Sequence, residues 1–158
     1  MSNEVKPIQR APAAGSAPAN PPMGAMSPLV NQLSLLINSR NPIITVETSE
    51  EQRLVVVLER VALQLDVPLY SWSVTTGLGR VGGAALYNSD QPEQALANIS
   101  TIQGNAIFLL KDFSRYCDND RISRRLRDLA DGCRTAKRVI VILAASTALP
   151  ADSRPSRC

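Results

Sequence analysis

Histidine is absent from all 158 residues, which excludes Ser-His and Cys-His nucleophilic chemistry and any His-ligated zinc site. Aromatic residues are scarce, with one Trp, three Tyr and two Phe, so there is little material for stacking on nucleic-acid bases. Three cysteines (Cys117, Cys133 and Cys158) are too few and too widely spaced for a zinc cage or a disulfide framework. Their odd number, with no apolar leader at the N-terminus, suits a reducing cytoplasm. No Gly-Lys pair occurs, so the G-x-x-x-x-G-K-S/T phosphate loop is missing. No apolar run approaches the roughly 18 residues that would suggest a membrane span. Catalytic and metal residues are therefore expected to be none, and the chain is expected to work off the membrane.

What is present is unevenly distributed. Six of the eleven prolines lie in the first 28 residues, interleaved with alanine. Such a segment buries too little apolar surface to offset the entropy of ordering it, and residues 1–28 are expected to form a disordered arm. Residues 29–150 make up the foldable domain, and 151–158 an unpatterned tail. Charge is segregated too. Residues 43–110 carry a net −4 and residues 111–138 a net +4, so the overall +3 is a weak argument for a nucleic-acid partner.

Apolar periodicity alternates between helix and strand. Ser27-Pro28 reads as an N-cap with proline at the first helical position, followed by a helix from Leu29 to Asn38 that buries Leu29, Leu33, Leu36 and Ile37. Ile43 to Val46 reads as a strand. Thr48 and Glu51 have capping-box spacing, and Leu54, Leu58, Val61, Ala62 and Leu65 then share one helical face. Leu69 to Val74 alternates as a half-buried strand, and Gly77 to Gly83 follows as a mobile glycine loop. Asp90 with Glu93 repeats the capping-box spacing before a third helix carrying Ala95, Leu96, Ile99 and Ile102. Ala106 to Leu110 and Val139 to Leu143 are continuous apolar runs, as in strands covered on both faces. Between them Asp118-Asn119-Asp120 can cap a helix burying Ile122, Leu126, Leu129 and Cys133. This alternation predicts an α/β fold, a doubly wound and mainly parallel sheet of at least four strands. Its chemistry belongs at the carboxyl ends of the strands.

Those ends are unpromising for catalysis. Gly77-Leu78-Gly79-Arg80-Val81-Gly82 matches G-x-G-x-x-G, but Ser89, Asp90 and Pro92 interrupt the helix that should open there. The loop after the first strand holds Glu47, Glu50 and Glu51, which would repel a triphosphate. Ile107 to Asp112 has the shape of a Walker B strand, with Lys111 where a metal-binding aspartate is wanted. Glu47, Asp112 and Ser146 could imitate a phospho-receiver site, but a receiver also uses a lysine after a fifth strand, the sequence shows no fifth strand, and the acid pair beside the first strand is imperfect. Lys111, Asp112 and Ser146 are thus weak candidates for cofactor contact, and Asp112 with the Gly77–Gly83 loop supports an alternative nucleotide- or phosphoryl-binding role. Arg121, Arg124, Arg125 and Arg127 cluster on one helix. They suit a docking face for an acidic partner or, as a second alternative, a nucleic-acid contact, although Arg124 and Asp128 are also spaced to pair with each other.

The phrases NPIITVETSEEQR, VPLYSWSVTTGL, AIFLLKDFSRY, ISRRLRDLA and KRVIVILAAS occur in that order. Together they resemble the N-terminal domain of the AAA+ ATPases of the hypothetical-chloroplast-reading-frame group, found in cyanobacteria, plastids and other bacteria. The resemblance spans residues 29–150. It implies a degenerate P-loop-NTPase-like domain that precedes a separate module bearing the ATP and Mg sites. It also implies no cofactor on this chain and work in partner recognition or subunit packing, with a protein partner or self-association. Val139 to Leu143 would correspond to a sensor strand that ends at Ser146. Family members continue into the AAA+ module, and the tail from Ala151 to Cys158 reads like a terminus reached by frameshift or truncation.

Overall fold

The computed structural model describes residues 23–145 and is an α/β sandwich with a five-stranded sheet. The elements are α1 (Met23–Asn38), β1 (Ile43–Thr48), α2 (Glu51–Leu65), β2 (Leu69–Ser73), β3 (Gly77–Arg80), α3 (Pro92–Thr101), β4 (Ala106–Lys111), α4 (Asp120–Cys133) and β5 (Arg138–Ala145). A single 3-10 turn, Phe113–Tyr116, follows β4. The strand order is β1-β5-β4-β2-β3, parallel throughout except for β3, which pairs antiparallel with β2.

Period-2 alternation along the central strands divides the core between two faces. Ile107, Leu109, Val139, Val141 and Leu143 meet α1 and α2 on one side. Ala106, Phe108, Leu110, Ile140 and Ile142 meet α3, α4 and the 3-10 turn on the other. Helix α2 buries Leu54, Val57, Leu58, Val61 and Ala62 along one stripe, as its periodicity predicts. Its end is closed by Asp66, which adopts φ 52° so that the Val67 N–H reaches the Ala62 carbonyl at 3.0 Å. Asn119 caps α4, its side-chain oxygen accepting from the N–H groups of Arg121 and Ile122.

Five sequence expectations change. The first helix begins at Met23 rather than Leu29 and carries Pro28 inside it, so the missing N–H of Pro28 forgoes one ladder bond without stopping the helix. The expected arm up to residue 22 and the tail 151–158 lie outside the described residues. Leu36 is 38% exposed, because α1 turns Leu33, Ser34 and Ile37 inward instead.

The glycine-rich stretch is not a loop throughout: Gly77 to Arg80 form the edge strand β3. Gly77 takes φ +71°, and a Cβ at Gly79 would stand 2.9 Å from both the Ala84 oxygen and the Ala85 Cα. Those glycines serve a hairpin turn and a close chain crossing, neither of which requires a dinucleotide.

The capping expectations also shift. Gln91, not Asp90, precedes α3, with Pro92 in its first turn. Thr48 accepts from the Glu50 N–H at 3.0 Å, while the Glu51 carboxylate turns elsewhere.

Candidate functional site at the carboxyl edge of the sheet

The carboxyl ends of β2 and β4 and the first turn of α2 surround a cleft of about 310 Å³, whose walls include Glu51, Ser73, Thr76, Lys111, Asp112 and Tyr116. A helix N-terminus aimed at such a cleft would ordinarily attract an anion. Here the anion is supplied by the protein. Glu51 is the first residue of α2, and its carboxylate receives the Lys111 ammonium at 2.7 Å. Lys111 is held there because β4 runs straight into the cleft, and its side chain is only 23% exposed. No capping box with Thr48 forms, because the N-cap is Glu50 and Glu51 is the first helical residue, which leaves its carboxylate free for Lys111. A charge-assisted bond of that length is among the stronger polar contacts a side chain makes.

Asp112, the other strand-end candidate, is exposed and adopts φ 53°, with its N–H bonded to the Leu143 carbonyl at 2.9 Å. Its side chain caps nothing in the following 3-10 turn. Lys111 and Asp112 therefore share the cleft, but the ammonium is committed to Glu51. Glu47 is exposed on the edge strand β1, and Ser146 lies outside the described residues. Among the described residues, no group of three or more Cys, Asp or Glu side chains could hold a metal ion.

Tyr116 in the cleft wall belongs to an aromatic cluster at this edge. Trp72 is fully buried on β2, edge-on to Phe113 at 5.3 Å and to Tyr116 at 5.9 Å. Its indole N–H donates to the Ser89 carbonyl at 2.7 Å, tying the segment after β3 to the central sheet. Ser89, buried at 2%, receives the Leu78 N–H on its hydroxyl and donates to the Leu86 carbonyl. Neither Trp72 nor Ser89 stands out in the sequence as part of this edge, since their contact spans 17 positions.

The four helix arginines are all exposed on α4. Arg124 pairs with Asp128 at 3.2 Å, and Arg125 donates to the Glu93 carbonyl at 3.4 Å across to α3. Arg121 and Arg127 make no side-chain bond to another described residue. The helix is thus partly a braced solvent face and partly open.

The structure is thus a mainly parallel α/β domain in which an ion pair stands at the N-terminus of α2, on the carboxyl edge of the sheet. Residues 29–153 match the family described as SpoVK-like AAA ATPase, N-terminal domain, and the chain belongs to that family. It is similar to three proteins named "Uncharacterized AAA domain-containing protein ycf46". Identity is 34% to the one from Guillardia theta, over 77% of this chain and 24% of that protein. The relative from Trieres chinensis is 30% identical over 77% of this chain and 25% of its own length. The relative from Pyropia yezoensis is 31% identical over 75% and 25%. The chain thus spans about a quarter of the length of these relatives. No helix among the described residues is long and apolar enough to cross a membrane.

Proposed function

We propose that this chain is a non-catalytic N-terminal domain of the AAA ATPase type, derived from a P-loop fold, that works in the cytoplasm by recognising a protein partner or packing against another subunit. The Lys111–Glu51 ion pair carries this reading. It puts a carboxylate at the helix N-terminus where a phosphate would have to sit, and uses up the cation that would receive one. ATP and Mg belong, on this view, to a separate module of the longer relatives. Support for a packing role comes from apolar side chains left in solvent: Leu35 at 71% exposed on α1, Leu63 at 81% on α2, and Tyr87 at 96% in the segment after β3.

The test is calorimetric titration of the full chain with Mg-ATP, on the wild type and on Lys111→Gln. The expected outcome is no binding tighter than millimolar that depends on Lys111. Micromolar affinity abolished by Lys111→Gln would overturn the proposal. Sedimentation velocity over a range of concentrations then reads self-association directly. Replacing Leu35 and Leu63 by serine should weaken any association seen.

A further inference from the structure

At the opposite, amino edge of the sheet lies a second cavity, of about 320 Å³, between the end of α1, the loop from α4 to β5 and the start of β5. Four cations line it: Arg40, Arg134, Lys137 and Arg138. Arg134 has a carboxylate in reach, Asp131 at 3.9 Å. Arg40, Lys137 and Arg138 form no salt bridge with any described residue. Arg138 lines the cavity with its Nε buried and without a hydrogen-bond partner among the described residues. A buried guanidinium donor left unpaired is costly, and an arriving acceptor would remove that cost.

Two helix ends account for part of this charge. The carboxyl ends of α1 and α4 both point to this edge, and each places about half a negative charge there. Together they offset roughly one of the four cations, and Asp131 another. A surplus remains, gathered around a concave space with apolar walls from Ile37 and Val139. Guanidinium groups present planar, forked donors that match phosphate oxygens, and a lysine adds a mobile point charge.

We propose that this cavity binds the phosphate groups of a small, multiply charged anion, with the half-buried Arg138 as the anchor through its buried Nε and the exposed Arg40 and Lys137 beside it. The site is independent of the carboxyl-edge cleft and does not require Lys111. Cys133 stands in the cavity wall, 4% exposed, and gives a reporter inside the site.

The experiment is calorimetric titration of the full chain with inorganic tripolyphosphate, with citrate as a carboxylate of similar charge. One saturable site is expected, preferring tripolyphosphate and weakening steeply with salt. The double variant Arg40→Gln/Lys137→Gln, at two exposed positions, should bind about tenfold more weakly or worse. Lys111→Gln should bind as the wild type does, which separates this site from the reading of the carboxyl edge. Arg124→Gln/Arg127→Gln, which removes the same charge from α4, should also leave affinity unchanged. Bound tripolyphosphate should slow alkylation at Cys133, followed by peptide mass spectrometry. Absence of saturation, equal affinity for citrate, equal loss in both double variants, or unaltered Cys133 alkylation would each overturn the proposal.

Discussion

At the carboxyl edge of the sheet Lys111 is matched by Glu51 at 2.7 Å, whereas at the amino edge Arg40, Lys137 and Arg138 face a cavity without a salt-bridge partner among the described residues. In an α/β sheet the carboxyl edge is ordinarily the place for ligands. In this chain it is the electrostatically closed edge, and the amino edge is the open one. The two edges also differ in how they are held. The carboxyl edge rests on Trp72, Phe113 and Tyr116, packed within 6 Å of one another's ring centres. The amino edge is held by backbone ladder bonds and by Asn105, whose side-chain oxygen accepts from the Lys137 N–H at 3.1 Å. A closed edge built on aromatics should resist opening, and an open edge tied by a few polar bonds should be the easier one to perturb.

The largest test of that contrast is Trp72→Ala. It removes a fully buried ring, two edge-on aromatic contacts and the hydrogen bond to Ser89. Destabilisation by about 3–5 kcal/mol is expected from chemical denaturation. Trp72→Phe keeps most of the apolar volume, so its smaller cost should reflect mainly the unmet Ser89 carbonyl. If Trp72→Ala cost under about 1 kcal/mol, the carboxyl edge would not rest on this cluster.

How much of this was legible in the sequence depended on whether the signal was local. The four parallel strands and the helix faces were readable because apolar spacing encodes burial directly: Leu54, Leu58, Val61 and Ala62 line one buried stripe, and Phe108 to Leu110 are buried on both faces. Strand β3 was hidden because Gly77-Leu78-Gly79-Arg80 has low strand propensity and is fixed by its antiparallel pairing with β2 and by the close crossing at Ala85. At the site, Lys111 was readable as a residue that spoils a metal position. Its pairing with Glu51, 60 positions away, was not, because Glu51 fits a capping box equally well by spacing. The basic cavity was invisible for the same reason. Arg40 belongs to one end of the chain and Lys137 to the other, and only the fold brings them to one space.

The next test addresses the closed edge itself. Lys111→Ala leaves Glu51 without its cation and beside the exposed Glu50. Both partners are partly solvated, with side-chain exposures of 23% and 42%, so solvent screening reduces the loss to about 1 kcal/mol or less. The difference from wild type should shrink in high salt. A difference that salt leaves untouched would mean that Lys111 contributes through packing of its stem rather than through charge.

At the amino edge, Asn105→Ala deletes the exposed side-chain bond to the Lys137 N–H. The expected cost is about 0.5–1 kcal/mol in denaturation. Hydrogen exchange should quicken in the loop before β5 and stay unchanged at Trp72, on the other edge. Equal acceleration at both edges would contradict their separate anchoring.

The smallest effect lies in the pH dependence of the amino edge. Burial pushes the Cys133 thiol above its ordinary value of 9.0, while the charge of Arg138 pulls it partly back. The folded protein therefore keeps a proton on Cys133 at pH values where the unfolded chain has released it. The stabilisation this represents is fully present below pH 9.0 and declines as pH rises through the folded-state value. Denaturation of wild type and Cys133→Ser across the alkaline range reads it as a difference of slopes, since every other titrating group is common to both chains. Wild type should lose stability with rising pH more steeply than Cys133→Ser. Arg138→Gln should move the onset of Cys133 alkylation to higher pH, because the one charge drawing the thiolate out has been removed. A wild-type slope equal to that of Cys133→Ser would show that the thiol is already solvated at this edge. The cavity would then be open enough for water to reach its wall, weakening the contrast with the carboxyl edge from which the other tests begin.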